Sequence, residues 1–182
     1  MKVVPGKLPG LMILEPAIHG DARGFFLEMW NRARYAAAGL DVDFVQDNLS
    51  FSAQGILRGL HFQNPNPQGK LVQVLQGEVF DVVVDLRRSS PTFGGWEGIN
   101  MSGETKRQVY VPPGCAHGFV VRSPSAMFHY KCTAPYSPKD ELSLRWDDPD
   151  VGIRWPVDQP QLSAKDHSAL RLRDIPSDRL FD

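Results

Sequence analysis

At 182 residues the chain is long enough to bury a substantial core and fits one domain, 1–182. Twenty basic against 21 acidic residues leave a formal charge of −1, which excludes a global pull toward nucleic acid or an anionic membrane, so any anion must be held by a local cluster. The only cysteines, Cys115 and Cys132, form no CxxC pair and read as reduced structural residues. The N-terminal stretch lacks a signal-like apolar core, and no run approaches a membrane span, so a soluble cytoplasmic protein is expected.

In chain order, Leu11 to Leu14 reads as a first strand closed by Pro16. His19 to Gly24 reads as a turn, and Phe25 to Trp30 as a second strand, with Phe26 and Glu28 on one face and Phe25, Leu27 and Met29 on the other. Asn31 to Leu40 reads as a short helix, with Asn31 as its cap and Gly39 as its stop. From Phe44 onward strands dominate: Phe44–Gln46, Gly55–Phe62, Lys70–Leu75, Val79–Leu86, Gly95–Met101, Gln108–Val111, Gly118–Val121 and Ala126–Cys132. Turn signals such as Gln76-Gly77, Ser90-Pro91 and Pro112-Pro113-Gly114 separate them, and the chain holds 16 glycines and 15 prolines. The pattern predicts an all-β protein, an antiparallel sandwich or barrel such as a jelly roll. A second short helix is expected from Leu162 to about Arg173, so helices lie near both ends.

One stretch conflicts with a purely structural strand. In Ile56-Leu57-Arg58-Gly59-Leu60-His61-Phe62, an arginine and a histidine sit among buried-type residues, and burying charge is costly unless it is paired or used. Strict alternation puts Arg58 and His61 on opposite faces, because they are three apart. A bulge at Gly59 would turn both toward one cavity. The alternative is an edge-strand arginine beside a histidine satisfied in the core.

Histidine is the side chain suited to proton transfer near neutral pH, so His61 can serve as a base, which requires an orienting partner. Asp166 could orient it, although Ser163-x-x-Asp166 also fits a plain helix cap. Lys70 could stabilise a developing oxyanion or simply pair across strands with Asp81 or Asp85. Tyr130 could donate a proton into a cavity or be a buried aromatic with a tethered hydroxyl. Arg23, Arg58 and His117 are cations suited to a diphosphate if they converge, or else to surface ion pairs.

Pro112-Pro113-Gly114-Cys115-Ala116-His117 looks like the second histidine motif of metal-binding cupins. The first motif lacks its set, since no histidine follows His61 two residues on. The ligand count falls short of a catalytic metal, and none is expected.

The motifs taken together resemble those of the dTDP-4-dehydrorhamnose 3,5-epimerase family, metal-independent cupins that act on sugar nucleotides. The resemblance runs through Asp21-x-Arg23-Gly24-Phe25-Phe26-x-Glu28, Gln46-Asp47-Asn48-x-Ser50, Leu57 to Gln63 and Gln68 to Val72. It continues through Asp81 to Arg87, Ser90 to Gly94, Pro113 to Phe119, Tyr130 to Thr133 and Leu162 to Asp166, covering nearly the whole chain. It implies a cupin-type jelly roll, no cofactor, a homodimer and epimerisation of dTDP-4-dehydro-6-deoxy-D-glucose at C3 and C5. A mono-epimerase on a related sugar and a non-catalytic sugar-nucleotide binder are the alternatives.

By the same resemblance His61 is the base, Asp166 its orienter, Tyr130 the acid on the opposite face and Lys70 the enolate stabiliser. Arg23, Arg58 and His117 would hold the diphosphate or sugar. Phe26, Glu28, Gln46, Asn48 and Tyr136 would place the nucleoside, with Phe26 to Glu28 serving the partner subunit's site.

Overall fold

A computed structural model describes all 182 residues, Met1–Asp182. The first strands are β1 (Lys2–Pro5), β2 (Met12–Glu15), β3 (Ile18–Asp21) and β4 (Gly24–Leu27), followed by helix α1 (Arg32–Ala37). Next come β5 (Gln46–Ala53), β6 (Leu57–Gln63), β7 (Lys70–Gln76), β8 (Glu78–Asp85), β9 (Trp96–Ser102) and β10 (Gln108–Val111). The last elements are β11 (Cys115–Val121), β12 (Ser125–Cys132), β13 (Glu141–Ser143) and helix α2 (Ala164–His167). A six-stranded sheet of order β1-β2-β10-β7-β12-β5 faces a five-stranded sheet of order β13-β6-β11-β8-β9, and all the ladders are antiparallel. This is the jelly-roll sandwich expected from the strand spacing.

Alternation explains the layering. On β8, Val79 and Val83 point between the sheets, into a core that includes Val72, Val109, Phe119 and Phe128. Val82 and Val84 point outward, where Leu144, Ile175 and the C-terminal tail cover them. A strand covered on both faces reads as a nearly continuous apolar run, which is why β8 is legible as a strand, while of β11 only Gly118–Val121 is, because Cys115-Ala116-His117 interrupts the pattern. Tyr35 of helix α1 and Leu40, just beyond the helix, pack on the other sheet's outer face, against Leu14, Leu71 and Tyr110.

Several boundaries differ from expectation. The segment His19–Gly24, expected as a turn, is most of a hairpin in which β3 pairs with β4. The short expected strand at Phe44–Gln46 is instead the eight-residue edge strand β5, whose polar side chains face inward and hid it from an apolar count. Helix α1 is capped by the Asn31 side chain, as expected, and Gly39 follows it at φ +96°. The second helix is only Ala164–His167, and Leu172–Asp174 is a separate 3₁₀ turn.

The bulge is present. On β11 and β6, His117 pairs with His61 and Phe119 with Arg58, so two residues of β6 stand opposite one of β11. Gly59 occupies this irregularity at φ +131°, and a Cβ there would lie 2.5 Å from Gly118 Cα and 2.9 Å from the His117 carbonyl oxygen. Neither backbone atom can yield cheaply. Gly59→Ala is therefore expected to destabilise the protein by roughly 2–5 kcal/mol, from overpacking together with left-handed backbone strain. Urea unfolding measures it, and a midpoint equal to the parent's would refute the account.

Candidate active site

The two sheets part at one end around a cavity of about 340 Å³. Its walls come from both sheets. Arg58 and His61 on β6, His117 on β11 and Glu141 on β13 form one side, while Gln46 and Asn48 on β5, Lys70 on β7 and Tyr130 on β12 form the other. Gln68 and Tyr136 reach it from loops. The bulge at Gly59 thus does what the sequence required of it: Arg58 and His61, three apart, line one space.

His61 is held from behind. Its Nε2 lies 2.6 Å from Asp166 Oδ1, across 105 residues of sequence. Ser163 Oγ donates to Asp166 Oδ2 at 2.9 Å and accepts from the Asp166 backbone amide at 3.1 Å. The helix cap is the Ser163 hydroxyl, which accepts from the Asp166 amide, while the Asp166 carboxyl caps no helix amide and instead holds Ser163 with one oxygen and His61 with the other. Burial alone would raise the Asp166 pKa, but the His61 contact, the Ser163 hydroxyl and nearby Lys165 outweigh it and hold the carboxyl below its ordinary value. An ionised carboxylate can only accept, so Nε2 carries the proton and Nδ1 is the basic nitrogen of the neutral ring.

Tyr130 lies on the opposite sheet. Burial is the main cause that pushes its phenol above the ordinary value, with Cys132 and Glu141 adding to it and Arg58 opposing, so it holds its proton at neutral pH. Lys70 is on the same wall, since its Cα partner across the ladder is Cys132, two residues beyond Tyr130.

The alternative reading of Lys70, a cross-strand pair with Asp81 or Asp85, does not occur. Asp81 is fully buried and spends Oδ2 on His117 Nε2 at 2.8 Å. Asp85 turns away to accept from Arg87, Ser90 and Thr92; burial would raise its carboxyl, but these bonds outweigh it and bring the pKa to about 2. Lys70 is left facing the cavity. Burial is the chief cause that lowers its pKa, with Cys132, Glu141 and Asp81 pulling the other way. A desolvated ammonium without a carboxylate partner suits an oxyanion.

Arg23, Phe26 and Glu28 are absent from this chain's cavity. They lie on and just beyond the exposed β3–β4 hairpin, where Arg23 pairs with Asp21, Phe26 is 70% exposed and Glu28 contacts Arg34 and Asn31. Gln46, Asn48, Arg58, His117 and Tyr136 are all at the cavity.

Sequence reasoning missed Glu141. It accepts from Tyr136 Oη at 2.7 Å and lies 2.5 Å from Lys165 Nζ. The available signal was the alternation of Glu141, Leu142, Ser143 and Leu144, which marks the short strand β13. Cys132 was read as structural, yet it also lines the cavity, where Asn48 Nδ2 reaches its Sγ at 3.7 Å.

Residues 5–174 match the family profile described as dTDP-4-dehydrorhamnose 3,5-epimerase. A Salmonella typhimurium protein of that name is 53% identical over 93% of this chain and 94% of its own length. The crystal structure of dTDP-6-deoxy-D-glucose-3,5-epimerase from Legionella pneumophila with dTDP-4-keto-L-rhamnose is 50% identical, with a TM-score of 0.96 over 99% of this chain and 97% of that one. ChmJ, a 3'-monoepimerase from Streptomyces bikiniensis crystallised with dTDP-quinovose, is 38% identical, with a TM-score of 0.87 over 93% and 87% of the two chains.

Proposed function

The chain belongs to the dTDP-4-dehydrorhamnose 3,5-epimerase family, and from that premise we propose that His61, Asp166, Tyr130 and Lys70 carry its reaction. The protein is an isomerase that inverts C3 and C5 of dTDP-4-dehydro-6-deoxy-D-glucose, giving dTDP-4-dehydro-L-rhamnose. Both carbons flank the C4 carbonyl, so loss of either proton leads to an enolate on the same oxygen.

The observation that supports these roles is that His61 and Tyr130 stand on opposite walls of one cavity. Inversion requires a proton to leave one face of a carbon and another to arrive on the other. His61 takes the proton at Nδ1 while the C–H electron pair moves into the enolate. Lys70 stabilises the charge growing on O4, and the Tyr130 hydroxyl protonates the far face. Asp166 stays ionised and steadies the imidazolium.

Arg58 and His117 on one wall suit the diphosphate, and Gln46, Asn48 and Tyr136 suit the nucleoside.

The test is the reaction in heavy water. C3 and C5 should each gain solvent deuterium as L-rhamno product forms, and a folded protein that labels neither carbon would refute the function. Label at one carbon alone would group it with monoepimerases such as ChmJ. Lys70→Met should lower the rate of label entry by roughly 10²–10³-fold, the usual cost of one oxyanion contact. Affinity for dTDP, measured by calorimetry, should hardly change, and a parent-like exchange rate would remove Lys70 from the mechanism.

Arg23, Phe26 and Glu28 complete the partner's cavity in a homodimer. Supporting this, the hairpin that carries Arg23 and Phe26 leaves Phe25 and Phe26 exposed, and edge strand β5 exposes Leu49 and Phe51. Exposed apolar side chains on a hairpin and an unpaired edge strand are the surfaces that association covers. Sedimentation should give twice the chain mass of 20.3 kDa, and a monomer at working concentration would refute it.

A further inference from the structure

Resting on the base assignment above, we infer that a second cavity behind the His61–Asp166 pair is the port through which His61 exchanges its proton with solvent while the sugar occupies the first. This cavity has a volume of about 430 Å³ and shares two residues, Arg58 and His61, with the first. Its remaining walls include Leu57, Leu162, Ser163, Lys165 and Asp166. It is open at the surface, where the side chains of Gln161, Ser163 and Lys165 are exposed. The dyad therefore stands in a partition, with a substrate-sized space on one side and a separate solvent-facing space on the other.

The stoichiometry of the reaction gives this partition a purpose. After one inversion, His61 holds the proton taken from carbon, and Tyr130 has lost the proton it delivered. Before the second carbon can react, the imidazolium must give its proton to water and the Tyr130 phenolate must take one from water, which returns both groups to their starting states with no net change in protons. If both carbons are inverted in one binding event, that step must occur with the sugar filling the first cavity and blocking it. The second cavity brings water to the same ring by another route. Ser163, at its rim, holds the second oxygen of Asp166, so the carboxylate stays ionised and in place during the exchange.

A particular isotopic readout isolates this step. Deuterium entering a carbon that keeps its original configuration must come back from the face that lost the proton, hence from His61 after exchange with solvent. The experiment measures this label in unconverted substrate, relative to the rate of inversion, for the parent, Gln161→Trp, Leu162→Trp and the control Gln161→Ala. The Gln161 backbone is fixed by bonds to Gly55 and Leu57, so its exposed side chain can be changed without breaking those bonds.

The tryptophan variants should show a several-fold lower ratio of same-face label to inversion and should release singly inverted product. Gln161→Ala should match the parent. Parent-like ratios in both tryptophan variants, folded by circular dichroism and binding dTDP normally, would overturn the port. That result is distinct from failure of the base assignment, which would show as exchange surviving in His61→Gln.

Discussion

His61→Gln is expected to cut solvent exchange and inversion at both carbons by at least roughly 10³-fold, within the range that a positioned general base contributes. Glutamine suits the test because it separates chemistry from folding. Its amide can donate to Asp166 Oδ1, replacing the contact that His61 Nε2 makes at 2.6 Å. Alanine would instead leave Asp166, which is 3% exposed, without that partner, and an orphaned buried carboxylate costs stability in its own right. The amide has no basic nitrogen, so proton abstraction stops while the dyad's geometry survives. Parallel measurement of dTDP affinity and thermal unfolding should return values near the parent's. Parent-like exchange in the folded variant would show that another group removes the proton.

The conflict visible in Leu57–His61 was informative because two rules could not both hold in a regular strand. Period-two alternation and the cost of buried charge disagreed, and Gly59 offered the resolution that the β6–β11 register shift displays. Sequence also made central strands such as β8 legible, since burial on both faces writes a continuous apolar run. It failed where side chains turn into a polar cavity. Strand β5 shows Gln46, Asn48 and Ser50 on its inner face, a pattern that imitates a loop.

Long-range pairing was the other blind spot. Asp81 and Asp85 share a face of β8 with no local cue to their partners, and only the fold reveals that one serves His117 and the other a turn around Arg87. Lys70 is consequently freer than a strand-pair reading allowed, which strengthens its candidacy for the oxyanion. Asp166 carried the opposite lesson. Cap and orienter looked like rival explanations, yet the Ser163 hydroxyl caps the helix through the Asp166 amide, which leaves the Asp166 carboxylate free to hold His61.

Tyr130→Phe should separate the two faces of the reaction. The substitution removes one oxygen from a side chain whose hydroxyl opens to the cavity, so it leaves no buried protein group without a partner. The ring and its packing near Phe128 remain. His61 and Lys70 are untouched, and the enolate should still form. Deuterium should therefore continue to enter carbons of unchanged configuration, by way of His61, while inversion falls by roughly 10²–10⁴-fold, the usual contribution of a positioned acid. Product stereochemistry read by proton NMR, alongside isotope content by mass spectrometry, gives both rates from one sample. An equal fall in exchange and inversion would mean that the phenol acts before the enolate and not after it. Unimpaired inversion would mean that the second proton has another source on the wall that carries Lys70.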